Sequence, residues 1–315
     1  MKHIEEVSYE SSSFDEIDKY YEEKLGDSYI SPRSNQVKYK HNCTNSRCCP
    51  CIHPGQNSKK KERFLNYNNN TRVQGWKNFS EIDRVKRDII DLYIDDFKKI
   101  DSSGLIGKMY ESIPGQLATS KKRYMISRAT GKRKTKKDVE RLADLLDSKT
   151  VIACYNTYNP GITLAQSRDD DTFKLYLSDI GLFTTMIFNA SPKTDESIYS
   201  KLLSDKLSAD LGYLYENAVA QMIAATNRPA YYHTWEKEYS THYHEVDFLL
   251  QDKAKLLPLE VKSSATKKHE SIDAFCVKYS KYVSQEILLS QKDVGQDNNL
   301  KLKPIYMLPF IMEEL

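Results

Sequence analysis

Two short segments in the last third of the chain alternate apolar and charged residues as paired strands do. In Glu245-Val-Asp-Phe-Leu-Leu250, Val246, Phe248 and Leu250 are set against Glu245 and Asp247, and successive side chains of a strand point to opposite faces. In Leu259-Glu-Val-Lys262, Leu259 and Val261 take one face and Glu260 and Lys262 the other. With 251–254 as the turn, Asp247 lies opposite Pro258, and Glu260 is its diagonal neighbour on the same face. Asp247, Glu260 and Lys262 then converge on the polar side of a hairpin whose apolar side must be covered. Strands and helices alternate around this hairpin, which predicts an α/β sandwich around a central sheet.

This grouping suits phosphodiester hydrolysis. That reaction uses a hard divalent cation, Mg2+ or Mn2+, held by one or two carboxylates and by water. Asp247 and Glu260 supply such ligands. Lys262 is placed to orient or deprotonate an attacking water, or to offset charge developing on the phosphorane. Glu216 lies in Gly212-Tyr-Leu-Tyr-Glu-Asn217 among Leu214, Ala218 and Val219. A carboxylate buried there needs a partner, either the metal or the lysine. The plain alternative is that Glu-x-Lys on an amphipathic strand is two solvated charges, as most matches to so short a pattern are. The hairpin aspartate and the helical glutamate argue against it.

The rest of the chain divides by composition. Residues 1–75 are polar, rich in Ser, Asn, Tyr and Lys, and read as irregular. Their segment His41-Asn-Cys-Thr-Asn-Ser-Arg-Cys-Cys-Pro-Cys-Ile-His53 holds enough ligands for zinc. However, Cys43, Cys48, Cys49 and Cys51 are crowded and lack a distant second pair, so no Zn2+ site is expected. From residue 79, Ile82, Val85, Ile89, Leu92 and Tyr93 recur at helical spacing after Ser80 as a cap. Helices over 105–113 and 137–146, the latter with Val139, Leu142, Leu145 and Leu146 on one face, precede a strand over 150–155. This is the order of a winged helix-turn-helix. Residues 76–160 are therefore read as a helical, winged-helix-like linker and 165–315 as the domain carrying the site. Within the latter, 173–182 reads as a strand closing on Gly181 and 211–225 as an apolar helix. Strands follow at 231–235, 245–250 and 256–262, then a helix at 271–282 and strands at 286–290 and 303–307.

Net charge is only +3, so a nucleic-acid signal has to be local. It is found in Lys121, Lys122, Arg123, Arg128, Lys132, Arg133, Lys134, Lys136 and Lys137, which suit DNA phosphates, though such a cluster is more often a solvated face or a docking surface for an ATPase module. His242 and His244 precede the hairpin and read as surface residues. No apolar run reaches the roughly 18–20 residues of a membrane span, and the charged start is unlike a signal peptide, so the expected location is the cytoplasm.

Phe173-Lys-Leu-Tyr-Leu-Ser-Asp-Ile-Gly-Leu182, Gly212-Tyr-Leu-Tyr-Glu-Asn217, Glu245-Val-Asp-Phe-Leu249 and Leu259-Glu-Val-Lys-Ser263 occur in an order and spacing similar to one family. Over about residues 75–315 the chain resembles prokaryotic AAA-superfamily ATPases that carry a C-terminal domain of unknown function with a PD-(D/E)xK nuclease-like core. Asp88-Ile-Ile-Asp-Leu-Tyr-Ile-Asp-Asp-Phe-Lys98 looks like the helix after the ATPase core, and Tyr110-Glu-Ser-Ile-Pro-Gly-Gln-Leu117 like the winged-helix linker. The resemblance implies a restriction-endonuclease-like fold with Glu216, Asp247, Glu260 and Lys262 as its site. Asp179 belongs to one of the shared motifs without an evident chemical role. The family's ATPase loop ends in Gly-Lys-Ser or Gly-Lys-Thr, whereas the Gly-Lys pairs here, at Gly107 and Gly131, have neither the second glycine nor the hydroxyl. No ATP binding is expected, and residues 1–75 are too few for a nucleotide-binding sheet. The resemblance thus implies an N-terminally shortened relative. Its expected activity is a metal-dependent DNA phosphodiesterase; the alternative is a non-catalytic remnant that binds DNA, a protein partner or a second copy of itself.

Overall fold

Helix α1, Phe79–Ile100, turns Asp83, Lys86, Ile90 and Phe97 inward, at the three- and four-residue steps that stack side chains on one helix face. The buried stripe is rotated from the one Ile82, Val85, Ile89 and Leu92 suggest: Leu92 is exposed, and the other three are half-buried. The rotation follows from the partner, because Phe97 packs on Tyr110 with ring centroids 5.6 Å apart. Ser80 lies inside the helix rather than before it.

The computed structural model describes residues 79–161, 163–188, 212–263 and 269–315, all belonging to one compact unit. The cysteine-rich segment with Cys43, Cys48, Cys49 and Cys51 lies outside the described residues. Four short helices follow α1: α2 (Leu105–Glu111), α3 (Ile113–Leu117), α4 (Ile126–Thr130) and α5 (Lys136–Asp147). Both Gly-Lys glycines have structural duties. A Cβ on Gly107 would lie 3.2 Å from Ile94 Cδ1, so glycine permits the close approach of α2 to α1, and Gly131 ends α4 at φ 69°. A reciprocal capping box between Thr135 and Asp138 starts α5. Leu142 and Leu145 are buried, whereas Val139 faces solvent. Arg141 fixes α5 in place: it donates through Nε and Nη2 to both Asp101 oxygens at 2.9 and 3.2 Å, and through Nη1 to Asp138 Oδ1 at 2.8 Å.

Strands β1 (Val151–Thr157) and β2 (Arg168–Leu177) pair antiparallel. β2 stops at Leu177, short of Gly181, because the Asp179 side chain accepts from Gly181 N and Leu182 N at 2.6 and 2.9 Å and caps helix α6 (Ile180–Ile187). Then come α7 (Gly212–Ala224), β3 (Ala230–Glu236), β4 (Tyr243–Asp252), β5 (Lys255–Val261), α8 (Glu270–Lys278), β6 (Glu286–Ser290), β7 (Gly295–Asp297), β8 (Leu300–Pro304) and α9 (Leu308–Glu313). Among the described residues these strands form one mixed sheet of order β2-β1-β3-β4-β5-β6-β8-β7. The fold is thus mixed α/β, with helices first and an eight-stranded sheet after them. β1, at the place where the sequence suggests a wing, pairs antiparallel with β2 and parallel with β3, so strands from both expected domains share one sheet.

Helices cover both faces of the sheet. Leu214, Val219 and Ile223 of α7 share a buried cluster with Phe248, Leu250, Leu257 and Leu259. Ile272 and Phe275 of α8 share a second cluster with Val246, Leu249, Leu256 and Leu288. Among the described residues no helix is long and apolar enough to cross a membrane.

Arg141 and its partners are covered yet lie close to the surface, so solvent moderates the cost of breaking them. Arg141→Ala is predicted to destabilise the fold by about 2 kcal/mol in a denaturant titration, the scale of lost charge-assisted hydrogen bonds. An effect within ±0.5 kcal/mol would place the network outside the fold's stability.

Candidate functional site

The hairpin that carries the site departs from simple alternation in two ways. Tyr231 pairs with Leu249 and His233 with Val246, so two steps on β3 face three on β4. This is a β-bulge, which re-aims side chains locally. Val246 consequently belongs with Leu249 on the α8 side, while Phe248 and Leu250 pack on the α7 side. The turn is also tighter than the sequence spacing predicts. Asp252 pairs with Lys255 across Lys253 and Ala254, with Lys253 in the left-handed region at φ 53°. The register shifts by two, which keeps every side chain on its face. Continued one step beyond Phe248↔Leu259, it sets Asp247 directly against Glu260 rather than on its diagonal. The ladder between β4 and β5 ends there, and Asp247 Oδ2 accepts the Val261 amide at 2.9 Å.

Around this point the fold gathers acids and lysines from distant parts of the chain. Glu216, on α7, is 2% exposed. Its Oε1 accepts from Lys122 Nζ; its Oε2 accepts from the Tyr176 hydroxyl at 3.3 Å and lies 3.9 Å from Lys174 Nζ. Lys174, fully buried on β2, donates to Glu245 Oε1 at 2.7 Å and lies 4.7 Å from the centroid of the Tyr232 ring. Lys262 Nζ pairs with Glu260 Oε1 at 2.6 Å, and Glu260 Oε2 is buried without a hydrogen-bond partner. Glu216 is thus tied to Lys122, Tyr176 and, through Lys174, Glu245, while Asp247 holds the Val261 amide and Glu260 pairs with Lys262. Lys174 carries a legible signal, a single charge within Phe173–Leu177, the apolar half of β2. Lys122 is masked by the basic residues around it.

Electrostatics separate the acids. Burial and then the Glu216 charge push the Asp247 carboxyl above its ordinary range. Burial and then the Asp247 charge raise Glu260 to about 8, and the Lys262 ammonium offsets only part of this. For Glu216, burial acts upward, but Lys122 and Lys174 together outweigh it and hold the carboxyl below its usual value. Glu216 is thus satisfied by protein cations, whereas Asp247 and Glu260 remain a pair short of positive charge. Among the described residues no group of three or more His, Cys, Asp or Glu side chains is gathered so as to hold a metal ion.

The remaining sequence candidates have structural roles or lie on the surface. Asp179 is the α6 cap. His242 is exposed, and the His244 ring stacks on Trp235 with centroids 4.9 Å apart. His233, on β3, was not singled out by its sequence context. It is buried on the α8 side, where Nδ1–H donates to the Thr157 carbonyl at 2.6 Å and Nε2 accepts from the Tyr279 hydroxyl at 3.3 Å. Within the basic stretch, Lys134 pairs with Asp171 at 2.9 Å and Lys122 with Glu216. Lys121, Arg123, Arg128, Arg133, Lys136 and Lys137 are exposed.

Lys174→Met strips the buried acids of a cation and is predicted to cost about 3 kcal/mol, with part recovered in Lys174→Met/Glu216→Gln; equal stability of the wild type and the single variant would contradict this. Burial holds the folded His233 pKa at about 4, against 6.5 when unfolded. The unfolded chain therefore takes up this proton first as pH falls, and stability drops between about 6.5 and about 4 by up to about 3 kcal/mol. In His233→Gln that share of the pH dependence should vanish from denaturation curves.

Comparison with known families gives two matches. Residues 211–308, which hold Glu216, Asp247, Glu260 and Lys262, match the model described as "Domain of unknown function (DUF4143)", a domain found in AAA-ATPase-associated proteins. Residues 71–193 match the model described as "Domain of unknown function (DUF8612)". No curated protein and no solved structure matches the chain. The C-terminal part is thus similar to the ATPase-associated domain that its motifs resemble, and the Lys122 and Lys174 segments fall within the other match.

Proposed function

We propose that this chain is a divalent-metal-dependent phosphodiesterase acting on DNA, built on a PD-(D/E)xK-type core. The observation that carries this reading is the Asp247–Glu260 pair: two buried carboxylates on adjacent strands at the point where the ladder ends, with Glu260 Oε2 lacking a partner. Mg2+ is commonly held by one or two carboxylates with water completing its shell, so the donor set suits Mg2+ or Mn2+. The order α7-β3-β4-β5-α8-β6, with β5 and β6 parallel across α8, is the arrangement expected of such a core. The winged-helix reading of the N-terminal region has less support, because β1 pairs into the main sheet.

Asp247 and Glu260 would bind the cation, and Glu216 would stand behind them. When bound, the cation would polarise a phosphodiester and lower the pKa of a nearby water. Lys262, half-buried beside Glu260, would orient that water and offset the negative charge that develops on the phosphate. Tyr176 and Lys174 orient Glu216 from below. The exposed cations of residues 121–137 lie on the segment that delivers Lys122, and they offer phosphate contacts that guide the DNA backbone.

A cleavage assay on single- and double-stranded DNA tests the reading. Wild-type protein should cleave with Mg2+ or Mn2+ and stop on chelation, Asp247→Ala should fall to background, and Lys262→Ala should lose about 100- to 1,000-fold. Unchanged cleavage in Asp247→Ala removes the mechanism. DNA binding without cleavage, together with a melting temperature indifferent to metal in both wild type and Asp247→Ala, favours the non-catalytic binding alternative.

A further inference from the structure

Lys122 is held with more care than a surface lysine requires. It precedes by two residues a segment fixed on several sides. Tyr124 N donates to Phe173 O at 2.9 Å, Tyr124 Oη to Met109 O at 2.9 Å, and Met125 N to Gln116 Oε1 at 2.7 Å. The Tyr124 ring stacks on Phe173, whose neighbour Lys174 contacts the same Glu216. Lys122 itself sits at φ 48°, a backbone conformation that L side chains avoid and that persists where the surroundings impose it. The result is a contact across 94 residues of chain, from the α3–α4 connection to the carboxylate on α7.

The two lysines on Glu216 differ in one respect. Lys174 is fully buried, tied to Glu245 and set over the Tyr232 ring, with no way out short of unfolding. The Lys122 side chain is 26% exposed and borders solvent where Lys174 does not. While it stays, its ammonium covers Oε1, and Lys174 and Tyr176 cover Oε2. A cation bound by Asp247 and Glu260 then meets a glutamate already neutralised and a positive charge beside it.

We propose that Lys122 is a built-in counter-ion that competes with a divalent cation for Glu216, so that full metal loading of the site requires Lys122 to swing out. The inference rests on the metal reading of Asp247 and Glu260. It gives the segment that carries the exposed basic residues direct control over the site: whatever draws Lys122 outward, a DNA phosphate included, frees Glu216 for the cation.

Calorimetric titration of the full chain with Mn2+ tests it, comparing wild type, Lys122→Met, Lys122→Arg and Lys122→Met/Asp247→Asn. Removing the cation that neutralises Glu216 should tighten Mn2+ binding at least about tenfold in Lys122→Met. The charge-retaining Lys122→Arg should stay near wild type, and the double variant should lose the site. Equal or weaker binding by Lys122→Met than by wild type overturns the inference and leaves the metal reading standing. Absence of binding in both wild type and Lys122→Met overturns the two together. Should Lys122→Met fail to fold, the wild-type protein decides the question. Its Lys122 ammonium resonance should move to the position of solvent-exposed lysines as Mg2+ saturates the site; a resonance unmoved at saturation overturns the inference.

Discussion

Buried carboxylates must be compensated, and much of this site's architecture follows from how Glu216, Asp247 and Glu260 meet that requirement. An ionised carboxyl removed from water without a partner is costly enough that it either takes up a proton or recruits a cation. Glu216 recruits two, Lys122 and Lys174, and stays ionised. Asp247 and Glu260 share what remains: one backbone amide, the Lys262 ammonium and each other's repulsion. Lys122 and Lys174 tie the α3–α4 connection, β2 and β4 to α7 through Glu216 and Glu245, and removing either cation leaves a buried acid short of positive charge.

The same sheet serves both parts of the chain. β1 and β2, which follow the short helices, pair into it on one side, and β3 to β8 complete it. A site assembled in this way draws side chains from both family-matched regions: Lys122 and Lys174 from one, Glu216, Asp247, Glu260 and Lys262 from the other. Asp179 belongs to this assembly through the backbone, because its side chain caps α6 just after β2 ends.

The hairpin was legible in the sequence because period-two alternation is a local property: Asp247, Glu260 and Lys262 were grouped without any long-range information. The helix carrying Glu216 was equally plain, as an apolar run with a single acid. The bulge in β4 left no mark in the pattern, since Val246, Phe248 and Leu250 alternate as if the strand were regular and only pairing with β3 splits them between two faces. The inward face of α1 is not legible in the sequence because Asp83 and Lys86 are buried beside Ile90, and polar residues on an inward stripe erase the hydrophobic signal. Lys122 was hidden differently. Among eight other basic residues nearby, nothing local separates one that crosses the molecule to Glu216 from those that stay in solvent.

The central claim is that Asp247 and Glu260 form one half of a divalent-cation site. A crystal of the wild-type protein soaked in Mn2+ and measured at a wavelength where manganese scatters anomalously tests it most directly. The account predicts one anomalous peak within coordination distance of Asp247 and Glu260 oxygens, including the orphaned Oε2, with water completing the shell. Manganese absent from this position at millimolar concentration, with Glu260 still paired only to Lys262, would contradict it.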